Sequence, residues 1–363
     1  MGRLKPSSGL APVAWRKDAR AKKAKATINK VIPALLTMHP RARTGVDCAE
    51  LITPATIAAT GTSAPTAPPG TTLPRPRITL RVTGTLTAAH SLLTLQQHSG
   101  DVDLSNKRAK VAIPNMASPL SPGGGFLNGA TSQEESLCMR TTLLPSLRDT
   151  FYRLPEVAAV YTPDVLVFRD EDAEDLAKRD RWFVDCVTAA MLRQPDTEPG
   201  VDGSPARYAH AKDRDLVLQK MRHVMAVFRV KGAKRIVLGA WGCGAYGNPV
   251  DEVAAAWKHV LLGGKQPNLD DSGIEEVTFA INDRRMAERF CDAFGDAITI
   301  VEAADSNLQD EDCEEEASGE VESKIDELEQ SLASAKTPGL REGLSRALAS
   351  LREQLHQSRE ASE

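Results

Sequence analysis

The stretch PGGGFLNGATSQEESLC, residues 122–138, places three consecutive glycines ahead of a Gln-Glu-Glu triplet at residues 133–135. It follows the apolar segment RAKVAIP (108–114), which predicts a buried strand, and its second half predicts the start of a helix over residues 133–147. A run of glycines loses much backbone entropy on folding and packs no side chains. We therefore expect it where a ligand must lie against the main chain.

The two glutamates have a second possible explanation, which is a capping box at the start of the helix. Thr131 and Ser132 each precede a glutamate by three residues. In a capping box the hydroxyl and the glutamate satisfy free N–H groups of the first helical turn. This accounts for a carboxylate at the helix start but not for the glycines before it, so both interpretations stay open from the residues alone.

Apolar segments of strand length alternate with segments of helical periodicity between residues 77 and 302. Continuous apolar strands that alternate with helices indicate a sheet covered on both faces, so we predict an α/β fold. Ligands in such folds bind in loops at the carboxyl ends of strands, where both glycine-rich segments of this chain fall. The predicted strands are 77–82, 108–114, 165–170, 182–190, 235–242 and 275–281, and the predicted helices are 85–99, 133–147, 214–232 and 248–262.

A second glycine cluster, GAWGCGAYG, spans residues 239–247, and its part GCGAYG (242–247) matches GxGxxG after a predicted strand. Such glycines let backbone N–H groups approach a pyrophosphate. A hydride-transfer site is disfavoured, because Pro249 interrupts the turn and no acidic residue ends the next strand. We expect Trp241 and Tyr246 to stack on a ligand, and a tight turn without a ligand is the alternative.

The N-terminal part of the chain is strongly basic. Residues 1–44 hold eleven Lys or Arg against a single acid, Asp18, while the whole chain of 363 residues has a formal charge of -4. This predicts either contact with a polyanion or a nuclear address, and the alternative is the solvated face of a helix predicted over residues 19–36.

The segments on either side of the predicted core differ from it in composition. Residues 52–76 are rich in Thr, Ala and Pro, which predicts a flexible segment. Leucines and isoleucines recur at helical spacing after residue 321, which favours packing or self-association through these helices. We predict a basic helical extension packed on the core (1–50), a flexible segment (51–76), a catalytic core (77–302), an acidic linker (303–320) and an amphipathic helical tail (321–363).

The cysteines and the hydropathy restrict the class of protein further. Six cysteines are spread along the chain without a CxxC pair, which argues against a zinc site and against a disulfide scaffold. No apolar run approaches the roughly 18 residues of a transmembrane helix, and the first ten residues lack the apolar core of a secretory signal. We expect an intracellular protein, in the cytoplasm, the nucleus or both, without metal or cofactor.

The two glycine-rich motifs together resemble the signature of microbial-type poly(ADP-ribose) glycohydrolases. The resemblance includes residues 122–138, LGAWGCGAYGN (238–248), NMAS (115–118) and YTPDVLVFRD (161–170), and it covers roughly residues 10–300. It implies a macrodomain-like fold with a mixed sheet between helices and an ADP-ribose cleft. Departures from the family pattern are Ala189-Ala190-Met191, where the family usually has an Ala-Pro-Asn element, and Pro114 in the strand before the glycines.

The resemblance also implies roles for single residues. Glu135 corresponds to the catalytic acid of the family, Glu134 holds ribose hydroxyls beside the scissile bond, and Gln133 helps to shape that site. The remaining residues that it assigns to substrate binding are Asn115, Ser118, Gly123, Gly124, Gly125, Phe126, Gly242, Cys243, Gly244, Ala245, Tyr246 and Gly247.

The activity implied is cleavage of the ribose–ribose bonds of poly(ADP-ribose), which reverses ADP-ribosylation. The implied partners are the polymer and ADP-ribosylated proteins, with no membrane and no requirement for nucleic acid. The alternative is a macrodomain that binds ADP-ribose without cleaving the polymer. Retention of both Glu134 and Glu135 argues against that alternative, because binding alone needs no proton donor.

Overall fold

A computed structural model of the chain describes residues 13–59, 76–94, 111–200, 205–263 and 273–301, together with residues 345 and 348. The chain divides into two compact units, and the larger one, Ala14–Glu302, contains nearly all described residues. The predicted acidic linker, nearly all of the predicted helical tail and most of the predicted flexible segment lie outside the described residues.

The larger unit is built on an eight-stranded mixed sheet with the strand order β1-β4-β5-β3-β8-β9-β2-β10. The strands from β5 to β10 in this order run parallel, and β4 and β1 continue the sheet in antiparallel pairing. The strands are β1 (Glu50–Ile52), β2 (Arg77–Arg81), β3 (Val111–Met116), β4 (Ala159–Val167), β5 (Trp182–Ala189), β6 (Thr197–Glu198), β7 (Arg207–Tyr208), β8 (Arg235–Leu238), β9 (Glu276–Ala280) and β10 (Thr299–Ile300), of which β6 and β7 form a separate hairpin.

Helices cover both faces of the sheet, which confirms the predicted fold class. Alternate residues of a strand serve the two faces: Ala112 packs in one apolar core with α7, α8 and α9, whereas Val111 and Ile113 pack in the other with α5. The helices are α1 (Val13–Ala26), α2 (Ile32–Met38), α3 (Pro40–Asp47), α4 (Pro54–Ala59), α5 (Thr85–Thr94), α6 (Gln133–Arg140), α7 (Ala211–Val230), α8 (Val250–Leu262) and α9 (Arg284–Phe294), with a π-helical turn, Thr27–Val31, between α1 and α2.

Several element boundaries differ from the predictions. The helix expected over residues 133–147 ends at Arg140, because Thr141 pairs with Val167 as an isolated bridge at the sheet edge. The expected flexible segment begins too early, since Glu50–Ile52 pairs with β4 and Pro54–Ala59 is helical. These short elements have too few residues to show a period in the sequence.

The basic N-terminal helix α1 packs on the loop before α6. The Arg20 Nε donates a hydrogen bond to the Gly129 carbonyl oxygen at 2.9 Å. Ala24 lies in one apolar cluster with Phe126 and Cys138. The N-terminal segment therefore supports the loop that leads to the Gln-Glu-Glu triplet.

Candidate active site

The two glycine-rich segments meet at one edge of the sheet. Strands β3 and β8 are parallel neighbours, so the first glycine loop (residues 117–132) and the second glycine loop (residues 239–249) both follow carboxyl ends at the same edge. The Ser118 side chain of the first loop lies close enough to the Tyr246 hydroxyl of the second loop to lower the pKa of that hydroxyl. The sequence placed both loops correctly after strands, and the strand order makes them adjacent.

Glu135 lies in the first turn of α6 and is 7% exposed. Its Oε1 accepts a hydrogen bond from the Gly125 N–H at 2.7 Å. Its Oε2 is buried and has no hydrogen-bond partner among the described residues. The capping-box interpretation is not what the structure shows, because Ser132 is the N-cap residue and its side chain makes no capping hydrogen bond.

Glu134 is 3% exposed and is held at both oxygens. Its Oε1 accepts from the Asn115 Nδ2 at 3.2 Å, and its Oε2 accepts from the Ser118 N–H at 2.7 Å. Burial, which is the largest cause, and the neighbouring Glu135 together raise the pKa of Glu134 to about 7, although the bonds from Ser118 and Asn115 lower it. At neutral pH this carboxyl group is therefore divided between its neutral and ionised forms.

Gln133 fixes α6 to the end of β3. Pairing between β3 and β8 is limited to Val111 and Ala112, and beyond that point the Gln133 amide takes the place of β8. Its Oε1 accepts from the Met116 N–H at 2.8 Å, and its Nε2 donates to the Pro114 carbonyl oxygen at 2.8 Å. The amide group of Gln133 thus binds the protein and positions the two glutamates that follow it.

The glycines of the first loop are required by the glutamates. Gly123 and Gly124 have φ angles of +71° and +56°, which favour glycine. A Cβ on Gly124 would lie 2.6 Å from the Glu135 Oε1 and 2.9 Å from the Glu134 Oε2. The side chain of Phe126, which was assigned to substrate binding, is buried beneath the loop, so in this structure its ring is unavailable to a ligand.

The second glycine loop combines a packed base with an open rim. A Cβ on Gly242 would lie 2.6 Å from the Asn248 Nδ2, whereas a Cβ on Gly244 or Gly247 would have no atom within 4 Å. Ala245 is exposed at the same rim, and Tyr246 is half-buried. Burial raises the pKa of Cys243 to about 12, so its thiol stays protonated and is a poor nucleophile.

Trp241 does not have its expected position. It is 4% exposed and stacks on Trp257, with ring centroids 6.3 Å apart, in the core beneath the loop. The prediction that it stacks on a ligand was therefore wrong. Trp241 comes shortly after the end of β8, and its ring packs in the apolar layer between β8 and α8.

Sequence reasoning missed three polar side chains of this region. Asn248 binds the main chain at Leu192 and Gly242 and so holds the second glycine loop. Thr188 accepts a hydrogen bond from the Asn115 Nδ2 at 3.3 Å. The Tyr152 hydroxyl is buried without a described partner, and its pKa is raised by burial and by Glu134. Only Asn248, next to the glycines in an Asn-Pro pair, had a local signal.

The described residues contain no group of three or more His, Cys, Asp or Glu side chains able to hold a metal ion. The five cysteines in the described part of the chain are free thiols. None of the described helices has the length and apolarity needed to cross a membrane.

Comparison with known proteins finds one matching family model and several similar solved structures. Residues 50–170 match the family described as microbial-type PARG, catalytic domain. The chain is similar to a solved structure of poly(ADP-ribose) glycohydrolase (PARG) from Thermomonospora curvata, with 27% identity over 76% of this chain and 98% of that chain and a TM-score of 0.58. None of the curated proteins matches the chain.

Two further structures are also similar. The Thermomonospora curvata enzyme bound to the inhibitor ADP-HPD shares 27% identity over 76% of this chain and 98% of that chain, with a TM-score of 0.55. A point mutant of PARG from Deinococcus radiodurans in complex with ADP-ribose shares 23% identity over 70% of this chain and 96% of that chain, with a TM-score of 0.53, and supports the fold alone.

The matched residues 50–170 contain strand β3, the first glycine loop and the glutamate pair. The resemblance noted in the sequence is thereby confirmed. Residues 50–170 match the microbial-type PARG catalytic domain, and this match, together with the similarity to solved PARG structures, indicates a glycosidase.

Proposed function

We propose that this chain hydrolyses the ribose–ribose O-glycosidic bonds of poly(ADP-ribose) and releases ADP-ribose, with Glu135 as the general acid and base. Cleavage of a glycosidic bond requires a proton for the leaving hydroxyl and stabilisation of an oxocarbenium-like sugar. A carboxylic acid can donate that proton, and the resulting carboxylate can then activate a water molecule.

The role proposed for Glu135 is supported by the different hydrogen bonding of its two carboxyl oxygens. The Gly125 N–H holds Oε1, whereas Oε2 has no partner among the described residues. A buried carboxylate oxygen without a partner is costly in a purely structural site. It is instead suited to exchange a proton with a bound substrate.

Glu134 takes the second role in this proposal, which is to hold the ribose hydroxyls beside the scissile bond. Its two oxygens are already oriented by Asn115 and Ser118. Each carboxylate oxygen can accept a further hydrogen bond, so a ribose hydroxyl can donate to it without displacing these contacts. Such orientation of the substrate lowers the entropic part of the barrier.

The decisive experiment is Glu135→Gln, assayed by chromatography of the products released from ADP-ribose polymer. Turnover should fall by at least about 10²-fold, since general acid–base catalysis contributes about that much. Calorimetric affinity for ADP-ribose should persist, because the glycine loops are unchanged. Glu288→Gln, at an exposed position on α9, is the matched control and should retain full turnover.

A non-catalytic module that only binds ADP-ribose is the alternative function. It predicts ADP-ribose binding without release of products by the wild-type chain. Near-wild-type hydrolysis by a folded Glu135→Gln variant would instead remove Glu135 from the catalytic role while leaving the activity in place.

A further inference from the structure

The segment that follows β5 is attached to the second glycine loop. The Asn248 Nδ2 donates to the Leu192 carbonyl oxygen at 2.8 Å, and the Gln194 N–H donates to the Tyr246 carbonyl oxygen at 2.8 Å. Arg193 lies between these two attachment points. The segment directly follows Ala189-Ala190-Met191, where the sequence departs from the family pattern.

The backbone of this segment has an uncommon conformation. Gln194 has a φ angle of +48°, in the left-handed region that non-glycine residues rarely adopt. Such a conformation persists only where surrounding contacts hold it, and residues of this kind cluster at functional sites. Here the bond to Tyr246 holds Gln194, which fixes the main chain of the preceding arginine at the rim of the loop.

The side chain of Arg193 is available for a ligand. It is exposed and forms no ion pair with the part of the chain that the structure describes. Its charge acts on the Tyr246 hydroxyl together with the charges of Glu134 and Glu135. Arg193 therefore belongs to the same electrostatic environment as the two glutamates, but with the opposite sign.

The ligand expected in this environment is itself an anion. The diphosphate of ADP-ribose would enter a site that already contains two carboxyl groups, and like charges repel strongly where water is excluded. The rim at Gly244 and Gly247 is open space that a diphosphate can reach. The planar guanidinium group binds phosphate oxygens through two parallel hydrogen bonds.

We propose that Arg193 binds the diphosphate of ADP-ribose from the rim of the second glycine loop. The proposal rests on the proposed function, because it assumes that ADP-ribose is the ligand of this cleft. It assigns a substrate-binding role to a residue outside both glycine motifs, on the segment that directly follows the departure from the family pattern.

Calorimetric titration with ADP-ribose, at low and at high salt, tests this proposal on the full chain. Arg193→Gln should weaken binding by about tenfold at low salt, the effect of losing one charge-assisted contact, and should reduce the salt dependence of the affinity. Arg193→Lys should lose less affinity, since it keeps the charge without the bidentate geometry. Arg284→Gln, at an exposed position on α9, is the control and should bind like the wild type.

The outcomes separate this inference from the proposed function. Absence of ADP-ribose binding by the wild-type chain would overturn both. Binding by the wild type that is matched by Arg193→Gln, in affinity and in salt dependence, would overturn only the role of Arg193. Thermal unfolding of each variant shows that the compared proteins are folded.

Discussion

At the scale of single residues, two adjacent glutamates have different surroundings. Glu134 is held by donors at both oxygens, whereas Glu135 is held at one. Neighbours in a helix point in directions about 100° apart, since the helix has 3.6 residues per turn, so Glu134 reaches the end of β3 and Glu135 reaches the glycine loop. This difference in contacts supports the different roles proposed for them.

The raised pKa of Glu134 predicts a pH-dependent stability. The ordinary pKa of 4.5 rises to about 7 in the folded chain, so between these values the folded state binds more protons than the unfolded state. The free energy of unfolding contributed by this group is then fully present below pH 4.5 and is lost as the pH rises through about 7. The loss amounts to roughly 3 kcal/mol at most.

Urea unfolding of the wild type and of Glu134→Gln across this pH range measures the effect. The contributions of groups that titrate in both proteins cancel when the two free energies of unfolding are subtracted. As the pH rises, the free energy of unfolding of the wild type should fall relative to that of Glu134→Gln. A difference that does not change with pH would show that Glu134 ionises normally in the folded protein.

At the scale of elements, the first glycine loop and α6 fit each other through the two carboxylates. The glycine loop was expected to lie against a ligand, yet the nearest atoms to a Cβ on Gly124 belong to Glu134 and Glu135. The absence of a side chain at Gly124 therefore makes room for the carboxyl groups of Glu134 and Glu135. Whether a ligand also lies along this main chain stays a prediction.

Substitution of Gly124 tests this relation between loop and helix. Gly124→Ala should displace the carboxylates and lower turnover by about 10²-fold, since a displacement of about 1 Å can have that effect. Gly232→Ala is the matched control, because Gly232 also has a positive φ, +71°, but its Cβ would meet no atom within 4 Å. Both variants should lose about 1 kcal/mol or more of stability from the backbone conformation, and equal turnover in the two would contradict the proposed contact.

At the scale of the whole molecule, the described site lies within the compact unit Ala14–Glu302. The elements that hold the site belong to this unit, including α1, whose Arg20 binds the first glycine loop. The leucine-rich region after residue 321, for which self-association is predicted, lies almost wholly outside the described residues.

Truncation tests the independence of the catalytic unit. A chain that ends at residue 303 should fold and should keep most of its turnover of ADP-ribose polymer, because the site residues and their supports are retained. Light scattering should give a smaller assembly than for the full chain if the tail mediates self-association. An insoluble or inactive product would show that the catalytic unit depends on the tail.

Much of the architecture could be predicted from local patterns. The segments 182–190 and 275–281 were expected to be strands and correspond to β5 and β9. The Gln-Glu-Glu triplet was expected at a helix start, where it lies. Periodicity, glycine content and capping residues depend on a few neighbouring residues, and that information is present in the chain before it folds.

The tertiary structure decided which residues meet, and therefore their chemistry. The adjacency of β3 and β8 brings together two loops that are far apart in sequence. The pKa of Glu134 arises mainly from burial, and Trp241 became a core residue because the layer beneath its loop had room for its ring against Trp257. Burial and contacts between distant segments are properties of the folded chain, because they form only when the sheet and its helices pack together.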